Sequence, residues 1–209
     1  MEDKNGTIEM LKSEVKKYQC EQRYLHTLSV YGECKKLADI FSLTEEEKEK
    51  LLTAALLHDI TKDMDGKTQI ELCKKYGLTP PASEKEPMPT IHQDTGAFFA
   101  RETFGEKIVD DTVFYAIASH TTGREGMTNI DKMLFLADYI EPRRKYKSCA
   151  ETREYLYSEC AKINKNDKAA LFRLLSKTVV YVIAYTVDYL ISKRRMIDHR
   201  MIIVWNSLI

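Results

Sequence analysis

The sequence predicts an all-α fold, a helical bundle, and two observations carry that reading. Apolar residues recur at intervals of three and four along nearly the whole chain, and no sustained apolar/polar alternation of the strand kind interrupts them. At 209 residues the chain is long enough to bury a substantial core in one domain. Residues 1–209 are therefore read as a single domain, with a motif-bearing core over about 20–145 and C-terminal helices over 150–209 packing on it.

The helices follow in order. Thr7 to Cys20 rests on Ile8, Leu11, Val15 and Tyr18, and Glu21 to Phe41 on positions such as Leu37, Ile40 and Phe41. Thr44-Glu45-Glu46-Glu47 is a capping box: the Thr44 hydroxyl accepts from a first-turn amide and Glu47 reaches back to the Thr44 amide. It opens a helix from Glu45 to His58. Lys67 to Tyr76 comes next and Gly77 stops it. The run from Thr79 to Pro89 holds four of the five prolines, so it is a loop: proline removes donors and turns its predecessor away from helix. It reads as a connector, with a wall of the site before His92 as the alternative. Beyond it lie Ile91 to Phe104, Asp110 to Ser119, Ile130 to Ile140, Ala150 to Ile163, Asp167 to Lys193, and a short helix from Asp198.

Composition excludes several classes. With 32 basic and 32 acidic residues the formal charge is zero, so no global field favours nucleic acid or an anionic membrane. The N-terminus, Met1-Glu2-Asp3-Lys4-Asn5-Gly6, lacks the form of a secretory signal. The most apolar stretch, Thr178 to Tyr185, is too short for a bilayer core of ~30 Å. Cys20, Cys34, Cys73, Cys149 and Cys160 are odd in number, have no Cys-x-x-Cys spacing and lie apart from the histidines, which suits reduced thiols in a cytoplasmic protein. Tyr181, Tyr185 and Tyr189, at intervals of four, read as core or as a subunit contact, the latter giving a homodimer, before they read as a base-stacking stripe.

Chemistry concentrates in the histidines. Ala54-Ala55-Leu56-Leu57 runs into His58-Asp59, an apolar helix ending in adjacent imidazole and carboxylate ligands. His26, His92 and His120 lie in separate segments that can each deliver one ligand, and Asp138 follows. One histidine on an apolar helix is usually a core residue; the ordered series His26, His58-Asp59, His92, His120, Asp138 reads instead as a candidate metal site. His26, His58, Asp59 and Asp138 suffice for one ion, and the second oxygen of Asp59 can bridge to another held by His92 and His120. The set is nitrogen and oxygen without sulfur, which suits iron, manganese or a related divalent ion. Two such ions lower the pKa of a water and neutralise phosphoryl charge, the two needs of phosphoanhydride hydrolysis. His199 fits no motif and reads as a surface histidine.

The order H…HD…H…H…D resembles the HD superfamily of metal-dependent phosphohydrolases. Arg23-Tyr24-Leu25-His26-Thr27-Leu28, Ala54 to Asp59, Ser119-His120-Thr121-Thr122-Gly123 and Leu134 to Arg144 are similar, more closely, to a bacterial family of all-helical symmetrical dinucleoside tetraphosphate hydrolases, which split diadenosine tetraphosphate into two ADP. The similarity runs from about Arg23 to Arg144 and continues more loosely beyond. Two departures concern packing and pocket shape: Ser29 and Gln93 stand where the family usually has glycine.

The resemblance implies two bound metals and a di-metal hydrolase, with Asp59, Lys62 and Arg23 in catalytic roles. Arg23 precedes His26 by three and Lys62 follows Asp59 by three, so both can reach a phosphate over the metals. Thr121, Thr122, Gly123 and Arg143 are further candidates for substrate contact. Asp131, two turns before Asp138, either orients a ligand histidine or caps its helix. Two other functions compete: a phosphohydrolase acting on mononucleotides or an NAD-pathway nucleotide, and a non-catalytic nucleotide-binding regulatory module.

Overall fold

The computed structural model describes residues 4–79 and 89–209. They form ten helices and, among the described residues, no strand: α1 Lys4–Val15, α2 Glu21–Ile40, α3 Glu45–Leu57, α4 Gly66–Lys75, α5 Ile91–Phe104, α6 Asp111–Ser119, α7 Asn129–Ile140, α8 Lys147–Lys162, α9 Lys168–Ser192 and α10 His199–Leu208. The all-α expectation holds. Of the proline-rich loop, residues 80–88 lie outside the described residues, and Pro89 and Thr90 make the turn into α5.

Helix α3 organises the bundle. Its Thr44 cap forms as the sequence predicts, with the Thr44 hydroxyl accepting from the Glu47 amide at 3.2 Å and Glu47 accepting from the Thr44 amide at 2.8 Å. Every residue from Leu51 to Leu57 is buried, because α1, α2, α5, α6 and α7 surround this helix. Fully burying leucines such as Leu51, Leu56 and Leu57 contributes ~1.5–3 kcal/mol each, so the C-terminal end of α3 is a firm anchor. The core continues through α7 (Met133, Leu134, Leu136, Ala137, Ile140) into α9 and on to Met201 and Val204 of α10.

The largest boundary differences are in α1 and α8, and α1 begins at Lys4, three residues before Thr7. Helix α1 stops at Val15 and not at Cys20, since the Lys17 and Tyr18 amides turn back to Glu14 and Val15 in three-residue steps. Helix α8 begins three residues before Ala150, at Lys147. Helix α9 is long and apolar enough, by length and composition, to cross a bilayer, but Leu171, Leu175, Val179, Val182 and Ile183 are buried in the bundle, as in the core helix of a globular domain. Its tyrosines Tyr181, Tyr185 and Tyr189 stay on a half-exposed face. All five cysteines are free thiols, Cys20 exposed and the others buried.

Candidate metal centre

His58 and His120 are set by the same local device. Each is the residue at which a helix ends, α3 and α6 respectively, and each directs Nδ1 at the carbonyl three residues back: Ala55 O at 2.8 Å and Ile117 O at 2.7 Å. A ring that donates from Nδ1 to a helix carbonyl carries its lone pair on Nε2, which here faces inward. Helix α2 brings in His26, whose Nδ1 lies 3.2 Å from the buried Glu141 carboxylate. That is the partner which fixes its tautomer. His92 enters from the first turn of α5, tied to the His58-Asp59 turn through the Thr61 hydroxyl, which donates to the His92 carbonyl at 3.1 Å.

The Nε2 atoms converge as two pairs. His26 and His58 approach to 3.4 Å, and His92 and His120 to 3.1 Å. Asp59 stands between them with one oxygen for each: Oδ2 lies 3.7 Å from His26 Nε2 and 3.5 Å from His58 Nε2, while Oδ1 lies 3.3 Å from His92 Nε2 and 3.5 Å from His120 Nε2. Asp138 Oδ1 joins the first pair, 3.0 Å from His26 Nε2. Donors held about 2.0–2.2 Å from an ion stand roughly 3–3.5 Å from one another; those around Asp59 and Asp138 are spaced at 3.0–4.0 Å. Two groups able to hold a divalent ion therefore share Asp59.

The electrostatics suit cations. Burial holds the His58 and His92 imidazoles down at about 4, so both are neutral donors at pH 7. Burial would raise the Asp59 carboxyl, but His58, His120 and His92 outweigh it and hold it well below the usual range. Asp138 behaves likewise, burial being overcome by Arg144 and His26. Burial lowers the Lys62 ammonium pKa, against the pull of Asp59 and Asp138.

A cavity of about 310 Å³ opens over the centre, lined by Arg23, Lys62, Thr121 and Arg144 beside Asp59, His92, His120 and Asp138. Arg23 Nη1 donates to Asp59 Oδ2 at 2.7 Å, and Lys62 Nζ lies 2.9 and 3.1 Å from the His92 ring nitrogens. The second arginine is a correction to the sequence reading. Arg143 is exposed and only its backbone amide is engaged, donating to Glu141 at 2.6 Å, whereas Arg144 donates to Asp138 at 2.7 Å.

Three other expected residues fall away from the cavity. Thr122 is fully buried, its hydroxyl donating to the Gly123 carbonyl. Gly123 takes φ +71° and packs against Val204 and Met127. Asp131 orients no histidine: it completes a capping box with Thr128 and accepts from Arg124 at 3.0 Å. The Thr128-x-x-Asp131 spacing before an apolar run was the available signal.

Two residues that the sequence reading did not assign act on the ligands. Glu141 holds His26, as described, and its position three after Asp138 was a usable hint. Gln93, where glycine was the family expectation, is fully buried and clamps the turn after His120: its Oε1 accepts from the Thr121 and Thr122 amides at 3.0 and 3.2 Å, and its Nε2 donates to the Thr122 hydroxyl at 2.9 Å. Ser29, the other departure, is partly buried on α2.

Known proteins resemble this chain in sequence and fold. The model of the HD domain matches residues 23–143, a span that contains every residue of the two histidine pairs together with Asp59 and Asp138. The chain belongs to the HD domain family. Similar proteins include a symmetrical bis(5'-nucleosyl)-tetraphosphatase of Halalkalibacterium halodurans, 28% identical over 195 residues that cover 93% of each chain. A protein of the same name from Staphylococcus aureus is 31% identical over 180 residues, covering 84% of this chain and 85% of that one. A crystal structure from Clostridium acetobutylicum, described as a predicted HD superfamily hydrolase involved in NAD metabolism, superposes with a TM-score of 0.77 at 28% identity, over 96% of this chain and 95% of that one.

Proposed function

We propose that this HD protein is a di-metal phosphohydrolase that cuts dinucleoside tetraphosphates at the centre, diadenosine tetraphosphate giving two ADP. One observation carries the reading: the two oxygens of Asp59 face two separate histidine pairs, the geometry of a carboxylate shared by two ions. The relatives named symmetrical tetraphosphatases supply the substrate class. His26, His58, Asp59 and Asp138 would hold one ion and Asp59, His92 and His120 the other. Iron, or manganese in its place, suits a donor set of nitrogen and oxygen without thiolate. When bound, the ions supply a water of lowered pKa and a sink for charge on the phosphoryl oxygens. Arg23, Lys62 and Arg144, around the cavity, hold the polyphosphate across it, with the Thr121 hydroxyl as a further contact. The protein would act in the cytoplasm on a small nucleotide, without nucleic acid or membrane as partner.

The position of the cut tests this directly. Diadenosine tetraphosphate is expected to give two ADP with no AMP and no ATP, and ¹⁸O from labelled water is expected in ADP, because water attacks a phosphorus beside the central bridging oxygen and that P–O bond breaks. AMP plus ATP would refute symmetrical cleavage. Free phosphate released only from mononucleotides would favour the mononucleotide or NAD-pathway reading.

Phosphate contacts separate from ligands by mutation. Arg23→Ala and Lys62→Ala are expected to keep the metal content of the parent and to lose roughly 10- to 100-fold in kcat/KM, the loss of one charge-assisted contact of ~1.5–3 kcal/mol. Metal analysis beside steady-state kinetics checks both halves, and loss of metal in either variant would assign that residue to the centre's framework.

A further inference from the structure

Asp138, Glu141 and Arg144 follow one another at steps of three, yet no helix holds all three. Helix α7 ends at Ile140, because Pro142 has no amide to donate and turns its predecessor extended: Glu141 takes φ −56° and ψ 143°. Past that point the chain places two working side chains without a helical ladder. The Glu141 carboxylate holds His26, and the Arg144 guanidinium reaches Asp138 and lines the metal cavity. Two local bonds shape the segment. The Arg144 amide donates to the Glu141 carbonyl at 3.0 Å, and the Arg143 amide donates to the Glu141 carboxylate.

A helix end leaves carbonyls that its own ladder cannot satisfy, and here a side chain from α8 takes them. Arg153 Nε donates to the Ile140 carbonyl, and Arg153 Nη2 donates to the Glu141 carbonyl at 2.8 Å and to the Arg144 carbonyl at 3.5 Å. One planar guanidinium therefore spans the segment from the last residue of α7 to Arg144, a rigid fork that a lysine ammonium does not reproduce. Its positive charge also faces the C-terminal end of α7, where the helix dipole favours a cation. The base of the fork is firm. Cys149, Thr152, Leu156 and Cys160 are buried along α8, and the Tyr157 hydroxyl donates to the buried Glu33 carboxylate of α2.

We propose that Arg153 is a positioning residue for the hydrolase. It stands outside the lining of the metal cavity and acts through the backbone of residues 140–144, fixing the direction in which the Arg144 guanidinium meets the polyphosphate. The proposal rests on the phosphohydrolase reading for what Arg144 grips. It gives α8, which carries no residue of the histidine series, a part in substrate binding.

The test measures, by calorimetry on the whole Zn²⁺-loaded protein, the binding of methylenediphosphonate, a pyrophosphate analogue that cannot be hydrolysed. Well below the melting temperature, Arg153→Ala is expected to weaken that binding about tenfold and to raise KM for diadenosine tetraphosphate about as much, with kcat less affected. In protein that already carries Arg144→Ala, the same change is expected to move Kd less than about twofold, because the two residues act as one unit. A residue that only supports the fold lowers the melting temperature and leaves Kd of the folded variant unchanged; that outcome overturns the proposal. An equal loss in both backgrounds also overturns it, since the effect would not pass through Arg144. Arg153→Lys keeps the stem and the charge, and carries the test if the alanine variant does not fold. Its loss in binding is expected to be about threefold or more, and full parental affinity would overturn the role of the fork. If the parent protein fails to split diadenosine tetraphosphate at all, the substrate reading fails, and the binding measurements still decide the role of Arg153.

Discussion

Asp59→Ala is expected to lose both metal ions and all measurable hydrolysis while the helices persist. One carboxylate serves two sites: Oδ2 faces His26 and His58, and Oδ1 faces His92 and His120, all at 3.3–3.7 Å. Removing any one histidine takes a single donor from a single pair, but removing Asp59 takes a charged donor from each. The fold does not depend on it, because Asp59 lies in the turn after α3, beyond the leucines that anchor that helix, and its side chain caps no helix. A buried carboxylate also costs desolvation, so its loss from metal-free protein offsets part of the lost pairing with Arg23. Metal analysis, circular dichroism and ADP release measured on one preparation check the three parts together. Turnover retained with metal still bound would show that another residue bridges. His199→Ala is the matched control, since that side chain is 84% exposed and belongs to neither histidine pair.

The sequence made the helices legible because burial writes a period of three to four into any amphipathic helix. Its limits are physical. Tyr18 keeps that period after α1 has ended, since an apolar residue in a turn can be buried as well as one in a helix. The candidate ligands stood out because five short segments each carried one or two donors in order. Their supports were less so. Arg143 and Arg144 are neighbours beyond a proline, outside any helical phase, and only the path of the chain past Glu141 decides which one turns to Asp138. Gln93 bonds to residues 28 and 29 positions away, which no local pattern encodes. Asp131 had two readings of equal standing, and the structure takes the local one, a capping box with Thr128.

Gly123→Ala is expected to destabilise the protein by roughly 2–5 kcal/mol, combining ~1–2 kcal/mol for a side chain in left-handed backbone with ~1–3 kcal/mol for overpacking. Both terms come from the same place. Gly123 sits at φ +71°, and a Cβ there would stand 3.0 and 3.2 Å from the two Val204 methyls and 3.1 Å from Met127 Sδ. Its amide also closes the turn after α6 by donating to the Ser119 carbonyl at 2.8 Å, so the chain cannot swing away without disturbing His120. Relief must come from α10, through Val204, or from the His120 turn, which Gln93 clamps from the other side. For a chain of this size the expected fall in melting temperature is about 4–20 °C. Thermal unfolding decides between this packing role and the substrate contact that the sequence suggested. A glycine kept for close approach of phosphate or sugar would give, on substitution by alanine, a higher KM at an unchanged melting temperature; a glycine kept for the turn gives a lower melting temperature.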